Sequence, residues 1–145
     1  MESRFAGVWK LVSCEAVRRN GTVVPLYGRT PVGRLYYDAC GNMSVHIMRP
    51  GRREFPRDSK YGECDDELRE AFEGYEAYFA TYAVDTERRL IEHTVIGSLF
   101  PNWTGTIQRR FYEFDGPNRL VLSSQPADAC PPQKTTVKLI WERLG

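Results

Sequence analysis

Gly7-Val8-Trp9-Lys10-Leu11-Val12-Ser13-Cys14-Glu15-Ala16-Val17 is rich in β-branched and apolar residues and has no proline, so it reads as one long strand. Alternation with Trp9 facing inward puts Leu11, Ser13 and Glu15 on the same side. Its counterpart stands near the other end of the chain, Leu139-Ile140-Trp141-Glu142-Arg143, where Leu139, Trp141 and Arg143 share the inward face. In a closed up-and-down barrel the first and last strands must pair, because closure removes exposed edges. Trp9 and Arg143 then become neighbours, and a guanidinium stacked on an indole is favourable by about 0.5–2 kcal/mol. A pair of this kind plugs one end of a barrel and has no catalytic part.

Between these ends the same texture recurs. Strands are expected at Gly7–Val17, Thr22–Pro25, Gly33–Asp38, Asn42–Met48, Ala77–Asp85, Arg89–Ile96, Gly105–Phe114, Arg119–Ser124 and Thr135–Arg143. Asn20-Gly21, Cys40-Gly41-Asn42 and Asp115-Gly116-Pro117-Asn118 supply turn chemistry between them. Short antiparallel strands joined by such turns form a sandwich or a barrel. One segment breaks the pattern. Cys64–Glu73 opens with Asp65, Asp66 and Glu67 and spaces Leu68, Ala71, Phe72 and Tyr75 on one face. Acids in a first turn suit the positive end of the helix dipole, so a short helix is expected there. Arg49–Gly62, rich in Pro, Arg and Gly, precedes it as a loop, and loop plus helix are expected to cover a barrel end as a lid.

Composition removes whole classes of function. The chain has 145 residues, which suits one domain over 1–145, with 41% hydrophobic and 27% charged residues, as in ordinary globular proteins. A net charge of +1 gives no broad positive field for nucleic acid. No run of eighteen apolar residues spans a membrane, and Met1-Glu2-Ser3-Arg4-Phe5 does not open a signal peptide, so a cytoplasmic protein is expected. Cys14, Cys40, Cys64 and Cys130 form no Cys-x-x-Cys pair and the two histidines do not complete a zinc site, so free thiols and no metal are expected. Sixteen of the twenty basic residues are arginine, a bias that genome composition explains as well as chemistry does. There is no phosphate-cradling glycine loop, nucleotide fingerprint or serine elbow, so no cofactor is expected.

The Gly-x-Trp of the first strand with the late arginine resembles the structural signature of the lipocalin superfamily. Gly33-Arg34-Leu35-Tyr36-Tyr37, Gly41-Asn42-Met43-Ser44, Met48-Arg49-Pro50, Tyr78-Phe79-Ala80-Thr81-Tyr82, His93, Ser98–Thr106, Gln108 and Arg110 follow in order. This order is similar to the lipocalin-like domain family of small bacterial and fungal proteins, often encoded beside biosynthetic enzymes. Pro101-Asn102-Trp103-Thr104-Gly105 is its most specific block. The resemblance implies an all-β fold: a lipocalin-like closed antiparallel barrel of about eight to nine strands, with an internal pocket. It fixes no reaction.

Alternation gives a lining for that pocket. Tyr78, Ala80, Tyr82 and Val84 share one face, Ile91, His93 and Val95 another, and Gln108, Arg110, Tyr112 and Phe114 a third, which the resemblance implies is the inward one. His93, with an ordinary pKa near 6.5, is the candidate general acid or base. Arg110 is the candidate for holding a carboxylate, enolate or β-dicarbonyl oxygen, and Tyr82 completes the candidate catalytic set. Tyr78, Gln108, Tyr37, Tyr112, Trp141, Met43 and His46 are the candidate ligand contacts. His46 has two settings: outside, if Met43, Val45 and Ile47 are the buried face, or inside with Ser44 and Met48.

Two functions fit such a lining. The first is a cofactor-free cyclase or isomerase, a pericyclic step included, acting on a hydrophobic polyketide- or terpenoid-like intermediate. The second is a carrier that holds a small hydrophobic molecule unchanged. Proton-moving groups and an oxyanion donor exceed what a passive carrier needs, which favours the enzyme. A protein-interaction module using Leu99–Trp103 is the blander third reading, and a homodimer through an outer barrel face is compatible with the chain. Neither nucleic acid nor membrane is expected as a partner.

Overall fold

The β-branched and aromatic runs form a nine-stranded antiparallel sheet in a computed structural model that describes residues 3–56, 65–124 and 135–145. In chain order the elements are β1 (Gly7–Arg18), β2 (Val23–Pro25), β3 (Val32–Tyr37), β4 (Asn42–Met48), α1 (Asp65–Glu73), β5 (Tyr75–Asp85), β6 (Leu90–Ser98), β7 (Ile107–Phe114), β8 (Arg119–Ser123) and β9 (Thr135–Arg143). Each of β3 to β9 pairs with the strand before it in the order β1-β3-β4-β5-β6-β7-β8-β9, and β9 returns to β1. The sheet is therefore a closed barrel in which β2 is a short extra strand hydrogen-bonded beside Glu15–Val17. Closure leaves no long free edge. A barrel of about eight strands has an interior wide enough for packed side chains or one small ligand.

Closure works as the chain ends suggest. Trp9 pairs with Arg143, whose guanidinium carbon lies 4.2 Å from the Trp9 ring centroid. Arg143 also donates to the carbonyls of Ala6 (2.9 Å), Arg4 (2.5 Å) and Pro117 (3.1 Å), so one side chain ties both termini to the β7–β8 turn. Gly7 makes this possible. At φ 141° its missing side chain leaves room for the Gly145 carbonyl and the Arg143 guanidinium, which a Cβ would meet at 2.6 and 2.7 Å. The turn Ser3–Phe5 folds beneath them. Phe5 is fully buried, its carbonyl accepts from Trp9 Nε1 at 3.0 Å, and its ring packs edge-on against Tyr37, Tyr112 and Phe114. This aromatic cluster fills one end of the barrel.

One expectation needs correction. Alternation along β1 is interrupted by a bulge, where the β9 register steps from Leu11 to Ser13. Past it the faces reverse, as an inserted residue requires. Cys14 is buried inside, while Ser13 and Glu15 leave the inward face that Trp9 and Leu11 occupy. The helix is present from Asp65 with its acidic first turn, but its apolar residues do not enter the barrel. Leu68 and Phe72 are exposed, and α1 sits outside, tied to the preceding segment by Arg53–Glu70 (2.7 Å) and by Arg52 donating to the Ala71 carbonyl. It supplies no wall of the cavity. Residues 57–62 of the expected loop, with Cys64 and Cys130, lie outside the described residues. Cys14 and Cys40 are free thiols.

Candidate functional site

Beyond the aromatic plug, inward residues of every closing strand leave a cavity of about 380 Å³. That volume falls in the usual range of small-molecule sites, about 300–1,000 Å³. Leu26, Leu35, Val45, Ile47, Leu122, Val137 and Leu139 make it apolar, and Tyr27, Tyr78, Trp103 and Trp141 add aromatic walls. The polar groups are Cys14, Glu76, His93, Gln108, Arg110 and Ser124.

His93 is the best-defined group. It is 2% exposed, and both ring nitrogens are engaged: Nε2 with the Tyr37 hydroxyl and Nδ1 with the Tyr78 hydroxyl, each at 2.7 Å. Cross-strand pairing puts Tyr82 opposite His93 and His93 opposite Gln108, while Tyr37 reaches the ring from β3. Burial, helped by the positive Arg110, depresses its pKa from 6.5 to about 3. The buried ring is therefore neutral at working pH. Burial raises Tyr37 and Tyr78 as well, Tyr78 to about 12, so both remain phenols.

The remaining expected residues separate by depth. Gln108, Arg110 and Trp141 stand in the cavity wall beside His93 and Tyr78. Arg110 lies 6.0 Å from the Trp103 ring centroid and donates to the Arg109 carbonyl, and Gln108 donates to Thr106 Oγ1 at 2.9 Å. Tyr37, Met43, Tyr82 and Tyr112 are buried but contribute no surface to the cavity. Tyr82 donates to the Asp38 carbonyl at 2.5 Å, Tyr112 packs on Phe5, and Tyr37 stands behind His93. His46 is on the outer face, exposed, 6.4 Å from the Tyr75 ring, so it is not a cavity contact. The inner side of β4 is Met43, Val45 and Ile47.

Several wall residues were not anticipated. Glu76 lies two residues before Tyr78 on the same face of β5, and burial raises its carboxyl above the usual range. Extending the expected strand back past Ala77 would have found it. Tyr27 has φ 58° and burial pushes its hydroxyl to about 12; a non-glycine residue in the left-handed region has no periodic signal. Trp103 comes from the short 3-10 turn Pro101–Trp103 and meets Tyr78 edge-on at 5.8 Å. Among the described residues the buried indole Nε1 of Trp141 has no hydrogen-bond partner, an unusual state for a donor beside a cavity. Among the described residues no cluster of His, Cys, Asp and Glu is placed to hold a metal, and no helix is long and apolar enough to cross a membrane.

Comparison with known proteins bears on this arrangement. A family model described as a lipocalin-like domain matches residues 6–144. The 4'-hydroxy-3'-methoxypropiophenone carrier protein ppsC of Aspergillus oryzae is 32% identical over 80 residues, which cover 51% of this chain and 72% of that protein. Among solved structures, a redesigned β-barrel aligns over 99% of this chain and 94% of its own, with a TM-score of 0.44 and 10% identity.

Proposed function

Because the chain belongs to the lipocalin-like domain family, we propose that it is a carrier for a small, mostly apolar molecule bearing acceptor oxygens, an aryl ketone or a relative of one, held inside the barrel and released unchanged. The observation that carries this reading is the Trp141 Nε1–H, which has no hydrogen-bond partner among the described residues and stands beside a mostly apolar cavity. A buried donor without an acceptor is costly, and a ligand oxygen relieves it. Trp141 on β9 and Tyr78 on β5 stand four strands apart around the closed ring, on opposite walls. A molecule with oxygens at both ends of a flat apolar body matches that spacing of donors. The name of the Aspergillus oryzae relative points to ligands of the same kind. His93, neutral and held at both nitrogens, has no free lone pair with which to take a substrate proton.

The test is calorimetric titration with 4'-hydroxy-3'-methoxypropiophenone. Binding of one molecule per chain is expected, with the negative heat-capacity change of apolar burial. Leu139→Trp, which fills the cavity from β9, is expected to weaken it at least tenfold. No binding, or equal binding by the filled variant, contradicts the reading.

A second reading has its own observation. Arg110 and Tyr78 line the same cavity, and two donors there suit an oxyanion developing on a substrate, as in a cofactor-free cyclase or isomerase. Under that reading the ligand comes back at equal mass with a different retention time.

A further inference from the structure

His93 joins two tyrosines that differ in one respect. Tyr78 borders the cavity, whereas Tyr37 lies behind the imidazole and contributes nothing to the cavity surface. A neutral imidazole carries one N–H and one lone pair, so the two hydrogen bonds can be ordered in only two ways. In the first, the Tyr37 O–H donates to Nε2, and Nδ1–H donates to the Tyr78 oxygen. In the second, the Tyr78 O–H donates to Nδ1, Nε2–H donates to the Tyr37 oxygen, and the Tyr37 O–H has nowhere to go. Among the described residues the Tyr37 hydroxyl has no other hydrogen-bond partner, and a buried O–H without an acceptor is disfavoured. The first order satisfies every group except the Tyr78 O–H, which faces the cavity.

We propose that Tyr37 and His93 are positioning residues that fix the proton order of this relay, turning the Tyr78 O–H into the cavity as a standing donor for a carbonyl-type oxygen of the ligand. This deepens the carrier reading and rests on it for the ligand, but the relay itself exists without one. The ligand chemistry selected is a hydrogen-bond acceptor on a flat apolar frame. An amine or hydroxyl donor at that position meets a hydroxyl whose oxygen already accepts from Nδ1–H.

Two measurements test it. The first uses the ligand-free protein labelled with 15N-histidine. The chain has two histidines, so His46→Gln leaves His93 as the one imidazole observed. The nitrogen shifts are expected to show the proton on Nδ1 and a bare Nε2 near neutral pH; a proton on Nε2 overturns the proposal. The second compares 4'-hydroxy-3'-methoxypropiophenone with 2-methoxy-4-propylphenol, which has a methylene in place of the carbonyl. The wild type is expected to prefer the ketone by about tenfold, the worth of one buried hydrogen bond. Tyr78→Phe is expected to erase that preference. Tyr37→Phe is expected to cut it to about threefold or less, with unchanged affinity for the methylene probe. A merely structural Tyr37 would weaken both probes together, and a preference surviving Tyr37→Phe overturns the relay. If the wild type binds neither probe, the carrier reading fails, and the imidazole spectrum still decides the relay.

Discussion

At the scale of the residue, His93 gives the barrel its clearest dependence on pH. Its ring is buried and neutral, with a folded pKa of about 3 against an ordinary 6.5. Above pH 6.5 neither folded nor unfolded chain protonates the ring and the group is neutral in its effect. As the pH falls below 6.5 the unfolded chain takes up a proton that the folded chain refuses, so stability declines through the window from 6.5 down to about 3. The slope is about 1.4 kcal/mol per pH unit and the whole window is worth about 5 kcal/mol. Urea unfolding at pH 7, 6 and 5 should show this fall before most carboxylates titrate, and a flat profile would mean the ring is hydrated. Alternation grouped Tyr78, His93, Gln108 and Arg110 by face, because a strand period of two is insensitive to what the side chains do, and the family resemblance chose the inward face for Gln108 and Arg110. It carried no sign that His93 is locked between two hydroxyls, since Tyr37 comes from a strand three places away around the sheet. Burial, not residue type, sets the pKa, and burial is a property of the closed barrel.

Elements show where a period fails. The β1 bulge between Leu11 and Ser13 brings Cys14 to the cavity, and no Gly, Pro, Asn or Asp in Val12-Ser13-Cys14 marks it. The helix is legible from its acids, but its position is not. An apolar stripe of Leu68 and Phe72 foretells a covered face, and both are exposed. Close approach of backbones is equally hidden until the barrel closes. Gly33 sits at the start of β3 under Leu11, where a Cβ would meet the His46 carbonyl at 2.8 Å and the Leu11 Cβ at 3.1 Å. Neither neighbour is the flexible end of a side chain. Gly33→Ala should therefore destabilise the barrel by about 1–3 kcal/mol, as overpacking does. Chemical denaturation of the variant reads this directly, and an unchanged midpoint would show that β3 and β4 are free to separate there.

Across the whole molecule, structure and chemistry occupy different ends. One end is filled by Phe5, Trp9, Tyr112 and Phe114 and clamped by Arg143; the other part of the interior is the cavity, bordered by Tyr27, Glu76, Trp103 and Trp141. The first was legible from two short motifs at the chain ends, because closure forces them together. The second needed side chains from all around the ring at once. On the proposed carrier reading the barrel is a container whose cavity offers donors to a flat, acceptor-bearing molecule. The measurement that addresses it most directly is native mass spectrometry of the chain mixed with 4'-hydroxy-3'-methoxypropiophenone, followed by chromatography of the released molecule. A carrier gives a one-to-one complex and a released molecule of unchanged mass and retention time. No complex, or a released isomer with a new retention time, would contradict it.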